Sequence, residues 1–241
     1  MPPSSVKVSV IMPAYNVAPY IDEAVESVLA QKGVSFELLI GDDGSKDGTW
    51  ERIKNYPKKD SRVRVWKFNK NQGVSKISNY LIARSCGPYI AQCDADDLML
   101  PNHLKHLVHV LDQKPNMGVV YGNLIQQLET GKRYLLRRSP GHTKTWDLID
   151  GSIGNGGTLI RRNLIEKIGG YRSELSFLED CDLFLRLSEI TEFEYLENKA
   201  SYVYRKRSES LSRQPKPEWV AIGRKIVKDA VLRRYGVKAK W

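Results

Sequence analysis

The stretch Phe36–Ser45 reads FELLIGDDGS. Its first part is short and apolar on both faces, which is the pattern of a buried strand. Gly44 and Ser45 favour a tight turn, so the strand ends on Asp42 and Asp43. Tyr89–Asp97 (YIAQCDADD) repeats the arrangement: a strand over Tyr89–Asp94, then Asp94, Asp96 and Asp97 at its end. Working outward, strand signals at Val6–Met12, Val63–Phe68 and Met117–Leu124 alternate with helix signals at Tyr20–Gln31, Gly48–Tyr56, Val74–Ser85 and Pro101–Lys114. Alternation of this kind predicts βαβ units and a mostly parallel, Rossmann-like α/β sheet flanked by helices. In such sheets ligands bind beyond the carboxyl ends of the strands, which is where both acidic turns fall.

After about residue 125 the pattern loosens into a smaller mixed region. The sequence predicts a basic hairpin over Lys132–Arg138, a Gly-rich stretch Gly151–Gly157, a strand Thr158–Arg161 and helices at Asn163–Ile168 and Asp180–Glu189. A strand at Ser201–Arg205 and an amphipathic helix Glu218–Tyr235 closed by Gly236 complete the chain. The expected organisation is one domain over 1–212, with a nucleotide-binding half (about 1–125) and an acceptor half (126–212), followed by a basic helical tail (213–241).

The 241 residues are 41% hydrophobic and 27% charged, an ordinary globular balance that excludes a collagen, a disordered chain or a disulfide scaffold. Three cysteines, Cys86, Cys93 and Cys181, form no CxxC pair and point to a reducing, cytoplasmic setting. The net charge of +10 is confined to Lys199–Trp241, which holds 13 Lys or Arg against 3 Asp or Glu; the first 198 residues balance at 25 of each sign. A nucleic-acid binder would not confine its charge in this way. The basic helix reads either as a packed helix with a solvated face or as a dock on an anionic membrane face.

Three carboxylates within Asp94–Asp97 repel one another unless a hard cation such as Mg²⁺ or Mn²⁺, which prefers oxygen ligands, relieves them. A helix-capping acidic turn is the structural alternative. Asp42 and Asp43 read either as an Asx turn or as acceptors for a base N–H or ribose hydroxyl. Asp180 reads, on its own, as a helix cap. His103, His106 and His109 drift around their helix and complete no metal site, so they are expected at exposed positions. Cys93 is expected as a packed thiol. No GK[ST] follows the glycines, and no GxGxxG is present, so phosphate-loop and dinucleotide fingerprints are absent.

The ordered set VSVIMPAYN (Val8–Asn16), SVLAQ (Ser27–Gln31), FELLIGDDGSKDGT (Phe36–Thr49), NQGVS (Asn71–Ser75), GPYIAQCDADD (Gly87–Asp97) and LEDCDLFLRL (Leu178–Leu187) resembles glycosyltransferase family 2, the inverting enzymes of GT-A fold. The resemblance implies a metal-dependent hexosyltransferase that moves a sugar from a nucleotide-sugar donor, UDP-linked by preference, to a glycan or lipid-linked hydroxyl in polysaccharide assembly. It places the nucleotide on Pro13, Ala14, Tyr15 and Asp43, the ribose on Asp96, and Mn²⁺ or Mg²⁺ on Asp97 with Asp96. Asp94 completes the acidic motif. Asp180 becomes the general base and Glu179 its neighbour at the acceptor. Two departures stand out: Ser78-Asn79 replaces the family's frequent Arg-Asn, leaving Lys76 to meet the diphosphate, and Arg207 stands where many members have a His. Arg cannot ligate a metal but pairs well with phosphate. Such an enzyme would work in the cytoplasm, at the inner face of the membrane when its acceptor is lipid-linked. A non-catalytic nucleotide- or glycan-binding module on the same fold is the rival reading.

Overall fold

The structure is a computed structural model that describes residues 6–138, 153–175, 177–208 and 217–236. Strands β1 (Val8–Ala14), β2 (Phe36–Asp42), β3 (Val63–Lys67) and β4 (Tyr89–Gln92) pair in parallel, in the order β3-β2-β1-β4. Helices α1 (Ile21–Leu29), α2 (Thr49–Ile53), α3 (Tyr56–Lys59) and α4 (Val74–Ile82) connect them. The apolar strands alternate between two layers. Val8, Val10, Met12, Leu38 and Ile40 face one core with Ala24, Val25 and Val28 of α1. Ile11 and Leu39 face the other with Ile77 and Leu81 of α4. Burial on both faces is why β1 and β2 read as continuous apolar runs.

Beyond β4 the sheet turns mixed. It continues through β8 (Thr158–Arg161), β6 (Met117–Leu128), β9 (Glu192–Lys206) and β5 (Leu98–Met99), with β7 (Arg133–Leu136) paired to β6. Helix α5 (His103–Gln113) packs near β6, α6 (Arg162–Lys167) follows β8, and α7 (Glu179–Leu187) precedes β9. Helix α8 (Pro217–Tyr235) closes the described chain, with Gly236 at a φ of 66° beyond it. The mixed region thus shares one sheet with the parallel half.

Several boundaries differ from expectation for a physical reason. Strand β9 is 15 residues long rather than the five of Ser201–Arg205. Its first part carries Glu192, Glu194, Glu197 and Asn198, which disfavour strands in isolation, but the backbone pairs with β6 regardless. Strand β6 likewise runs past Leu124 through Gln126 and Gln127 because β7 and β9 pair with its outer end. The bulges between Gly122 and Ile125 hid that continuity from a strict alternation test.

Gly87 shows how tightly the N-terminal edge is built. Its N–H donates to the Ser9 hydroxyl at 2.9 Å, and that hydroxyl donates to Glu37 at 2.6 Å. A Cβ on Gly87 would lie 2.8 Å from the Ser9 nitrogen and 2.9 Å from the Val8 carbonyl carbon, both backbone atoms that cannot swing aside. Gly87→Ala is expected to destabilise the fold by about 1–3 kcal/mol, the usual range for overpacking. Urea unfolding of the two proteins checks this; equal midpoints would show that the β1–β4 edge yields more easily than its packing implies.

Candidate functional site

The carboxyl ends of β1, β2 and β4 form one edge, and side-chain caps brace the first two turns against each other. The Asp43 N–H donates to the Ala14 carbonyl at 2.8 Å. The Asn16 N–H donates to the Ser45 hydroxyl, and the Asn16 side chain accepts from the Lys46 N–H, each at 2.9 Å. Ala14 is buried, whereas Tyr15 is 46% exposed beside it, next to the half-buried Pro13. The Asx turn falls on Asp42, whose carboxylate accepts from the Ser45 N–H at 3.3 Å. Asp43 has a different task. Its two oxygens accept from the Gln72 and Gly73 N–H groups at 2.7 and 2.9 Å, which ties the β2 turn to the start of α4. Gly73 sits at a φ of 93°, a conformation costly for any other residue. Burial pushes the Asp43 carboxyl up despite these two donors; Asp42 repulsion adds to the rise and Lys76 opposes it. Lys76 itself is exposed on α4.

The acidic motif after β4 divides into distinct roles. Asp94 accepts from the Gln92 amide at 2.9 Å and is pushed up to about 6, first by burial and then by Asp96. Asp96 is half-buried and ion-pairs with Arg207, whose guanidinium lies 4.8 Å from the Tyr20 ring centre. The expected metal ligands, Asp97 and Asp96, therefore part company. Asp97 is only 2% exposed and accepts from the Arg205 N–H at 2.8 Å, anchoring β9 to the motif. Burial, then Asp94 and Asp96, push its carboxyl well above the usual range. Among the described residues no group of three or more His, Cys, Asp or Glu side chains is arranged to hold a metal ion. What the edge does offer is a half-buried, mutually repelling pair of oxygen donors, Asp94 and Asp96. That donor set suits a hard cation completed by substrate phosphates.

The Glu179–Asp180 pair opens α7. Leu178, with a φ of 58°, occupies the N-cap and makes no side-chain cap bond. Asp180 lies in the first turn, where it accepts from the Cys181 N–H at 2.8 Å, so it is not the helix cap. Burial raises the Asp180 carboxyl; the Cys181 N–H and Arg138 act the other way. Glu179 is pushed up to about 8 by burial and then by Asp180. Asp94 and Asp180 feel each other's charge, so the β4 edge and the α7 N-terminus face one site.

The Ser78-Asn79 pair packs inward, with Ser78 buried. Asn79 clamps the backbone of Tyr171, donating to its carbonyl at 2.7 Å and accepting from its N–H at 2.8 Å. Tyr171 and Arg138 carried no sequence signal, yet both lie in the site. The Tyr171 hydroxyl is 2.6 Å from the Asn155 side-chain oxygen and 3.3 Å from that of Gln92. Cys93 is buried as expected, with a thiol that burial and Asp97 keep protonated. His103 departs from expectation: it is 2% exposed, with Nδ1 2.8 Å from the Ser201 hydroxyl, because α5 turns it inward onto β9. Of the Gly-rich stretch, 151 and 152 lie outside the described residues, as do Ser210, Leu211 and Ser212.

Helix α8 packs inward through Ile226, Ala230 and Val231. Trp219 stacks on Phe177, just before α7, with ring centres 3.6 Å apart. Arg172 bridges Asp229 at 3.1 Å and Asp182 at 3.3 Å, and Arg233 pairs with Glu189 at 2.9 Å. One side of the helix thus belongs to the domain. No helix among the described residues is long and apolar enough to cross a membrane.

The family profile of Glycosyl transferase family 2 matches residues 9–169. EpsE of Bacillus subtilis, which carries a glycosyltransferase name, is 31% identical over 215 residues, covering 88% of this chain and 77% of its own. The uncharacterized protein y4gI of Sinorhizobium fredii is 31% identical over 237 residues; the chain spans 95% of itself but only 26% of that relative. The crystal structure of S. aureus TarS 1-349 in complex with UDP-GlcNAc superposes with a TM-score of 0.79 at 22% identity, covering 94% of this chain and 67% of that one.

The raised Glu179 carboxyl has a consequence for stability. In the unfolded chain Glu179 ionises near 4.5, whereas in the fold it holds its proton to about 8. The native state binds more protons between these values, so this residue's contribution to stability falls as pH rises from about 4.5 to 8. Glu179→Gln removes that contribution and should flatten the decline in thermal midpoint over this window. A decline as steep in the variant as in the parent would show that Glu179 ionises normally in the fold.

Proposed function

The chain belongs to glycosyl transferase family 2 and has the GT-A fold, and from that premise we propose that it transfers a sugar from a UDP-sugar to a glycan or lipid-linked hydroxyl with inversion, in polysaccharide biosynthesis. The observation that carries the reading is the meeting of two carboxylate groups: Asp94 after β4 is linked through Gln92 and Tyr171 to Asn155, whose neighbour Gly154 lies against Asp180 at the start of α7. A donor diphosphate requires the first group, and an attacking hydroxyl requires the second. The UDP-sugar preference draws support from the UDP-GlcNAc bound to TarS.

Pro13, Ala14 and the exposed Tyr15 receive the base, with the free lone pairs of Asp43 available to a base N–H. Asp94 and Asp96 face the ribose and diphosphate. We place the divalent cation, Mn²⁺ or Mg²⁺, on Asp96, because Asp97 is turned into the protein by its bond to Arg205. When bound, the ion would neutralise charge on the departing diphosphate. Arg207 and Lys76 supply further positive charge there, and Arg207 would exchange Asp96 for phosphate when the donor arrives.

The two α7 carboxyls divide the acceptor chemistry. Glu179, protonated at neutral pH, donates a hydrogen bond to the acceptor and adds no repulsion. Asp180 takes the proton of the attacking hydroxyl as it reaches the anomeric carbon from the face opposite the diphosphate. One displacement inverts that carbon, so no nucleophilic Ser or Cys is needed.

Asp180→Asn should bind UDP as the parent does while transfer falls about a thousand-fold, within the range for loss of a general base. Turnover within tenfold of the parent would return Asp180 to a structural role. Asp96→Asn should abolish the difference in UDP affinity between Mn²⁺ and chelator; a difference that persists in the variant would remove the cation from Asp96. Calorimetric titration reads both affinities.

A further inference from the structure

The carboxylates of the site are accompanied by one cation that no part of the proposed reaction uses. Arg138 follows β7 and is only 7% exposed. Its N–H donates to the Asn123 side-chain oxygen at 2.9 Å, which fixes the backbone where the guanidinium enters the protein. Nη2 donates to the Gly156 carbonyl at 2.7 Å and reaches that of Gly154 at 3.4 Å; Nη1 is 3.5 Å from the Thr158 hydroxyl. Thr158 in turn donates to the Gly154 carbonyl at 2.9 Å, closing the turn upon itself.

Gly154 stands between Arg138 and the catalytic pair. A Cβ there would sit 3.3 Å from Asp180 Oδ2 and 3.8 Å from Arg138 Nη2, so both side chains press on the same glycine. The Asn155 N–H faces Asp180 as well. We propose that Arg138 is the positioning residue of the catalytic base: it holds the Gly154–Gly157 turn against Asp180 and supplies the buried positive charge that keeps this carboxylate ionised.

The charges facing Asp180 make the need plain. Asp94 from β4 opposes its ionisation, and the site is desolvated, while Glu179 on its own helix keeps its proton and adds no charge. The Cys181 and Asn155 N–H groups favour it, as partial charges only. Tyr171 stays neutral, since burial raises its phenol well above the ordinary range. Arg138 is the full positive charge among the groups that favour the ionised form. Burial lowers its own ionisation to about 10, which leaves it protonated at neutral pH. Its donors are directed at backbone carbonyls and a hydroxyl, so it acts through Asp180 and the turn.

The inference rests on Asp180 as the base, so its test is read without substrate. The full chain is labelled with carboxyl ¹³C-aspartate, and the Asp180 resonance is assigned by its loss in Asp180→Asn. Arg138→Gln should raise the Asp180 midpoint by about one pH unit or more, the scale expected when a buried opposite charge is removed. Arg138→Lys, which keeps the charge, should leave the midpoint near that of the parent. An unshifted Asp180 in a folded Arg138→Gln protein overturns the proposal. If Arg138→Gln does not fold, Arg138→Lys decides: a parental midpoint supports the proposal and a displaced one contradicts it. Turnover of Asp180→Asn stands apart from this titration. If that variant keeps parental turnover, the base assignment falls and the role of Arg138 falls with it.

Discussion

Like-charge repulsion among carboxylates is the constraint around which this molecule is arranged. Asp43, Asp94, Asp96, Asp97, Glu179 and Asp180 are gathered at one edge of the sheet, most of them partly or fully withdrawn from water. Such a cluster is unstable unless each charge is neutralised, paired or hydrogen-bonded. The fold meets each case differently. Asp43 is held by two backbone N–H groups at the head of α4, and Asp97 by one from β9. Asp96 takes Arg207, Asp180 stands beside Arg138, and Glu179 keeps its proton. Each solution fastens a distant piece of chain to the edge. The acidic edge therefore organises the second half of the structure.

For the proposed reaction, that arrangement would separate two jobs that carboxylates perform in group transfer. The donor side needs oxygen ligands and some mobile positive charge, and the Asp96–Arg207 pair offers both in exchangeable form. The acceptor side needs one ionised base beside one neutral donor. Burial raises both Glu179 and Asp180, but only at Asp180 do Arg138 and the Asn155 and Cys181 N–H groups work against the rise, while Glu179 is pushed up to about 8. Environment, rather than residue type, assigns the roles.

The first half of the fold was legible in the sequence because its strands are buried on both faces and end in turn residues. Val8–Ala14 and Phe36–Asp42 could hardly be read otherwise. The second half was less so, since β9 draws its stability from pairing with β6 across charged residues that argue against a strand. Of the candidate site residues, Asp43, Asp94 and Asp96 were marked by strand-end position and motif, and Glu179 and Asp180 by the family resemblance alone. The inward turn of Asp97 was invisible, because the same acidic run is compatible with any of its carboxylates facing out. Arg138 looked like one more basic residue in a hairpin of Lys and Arg; only the packing of Gly154 and Asp180 around it distinguishes it. His103 misled for the opposite reason, since its helix presents it to β9 rather than to water.

The central claim is that a nucleoside diphosphate sits on the edge formed by the first, second and fourth strands. Amide hydrogen exchange of the full chain, with and without UDP in the presence of Mn²⁺, tests it most directly. Binding should slow exchange at Ala14–Asn16, Asp42–Ser45 and Asp94–Asp97 together, leaving the far edge of the sheet around Gly87 unchanged. Absence of protection in all three turns, or protection confined to some other surface, would contradict the account.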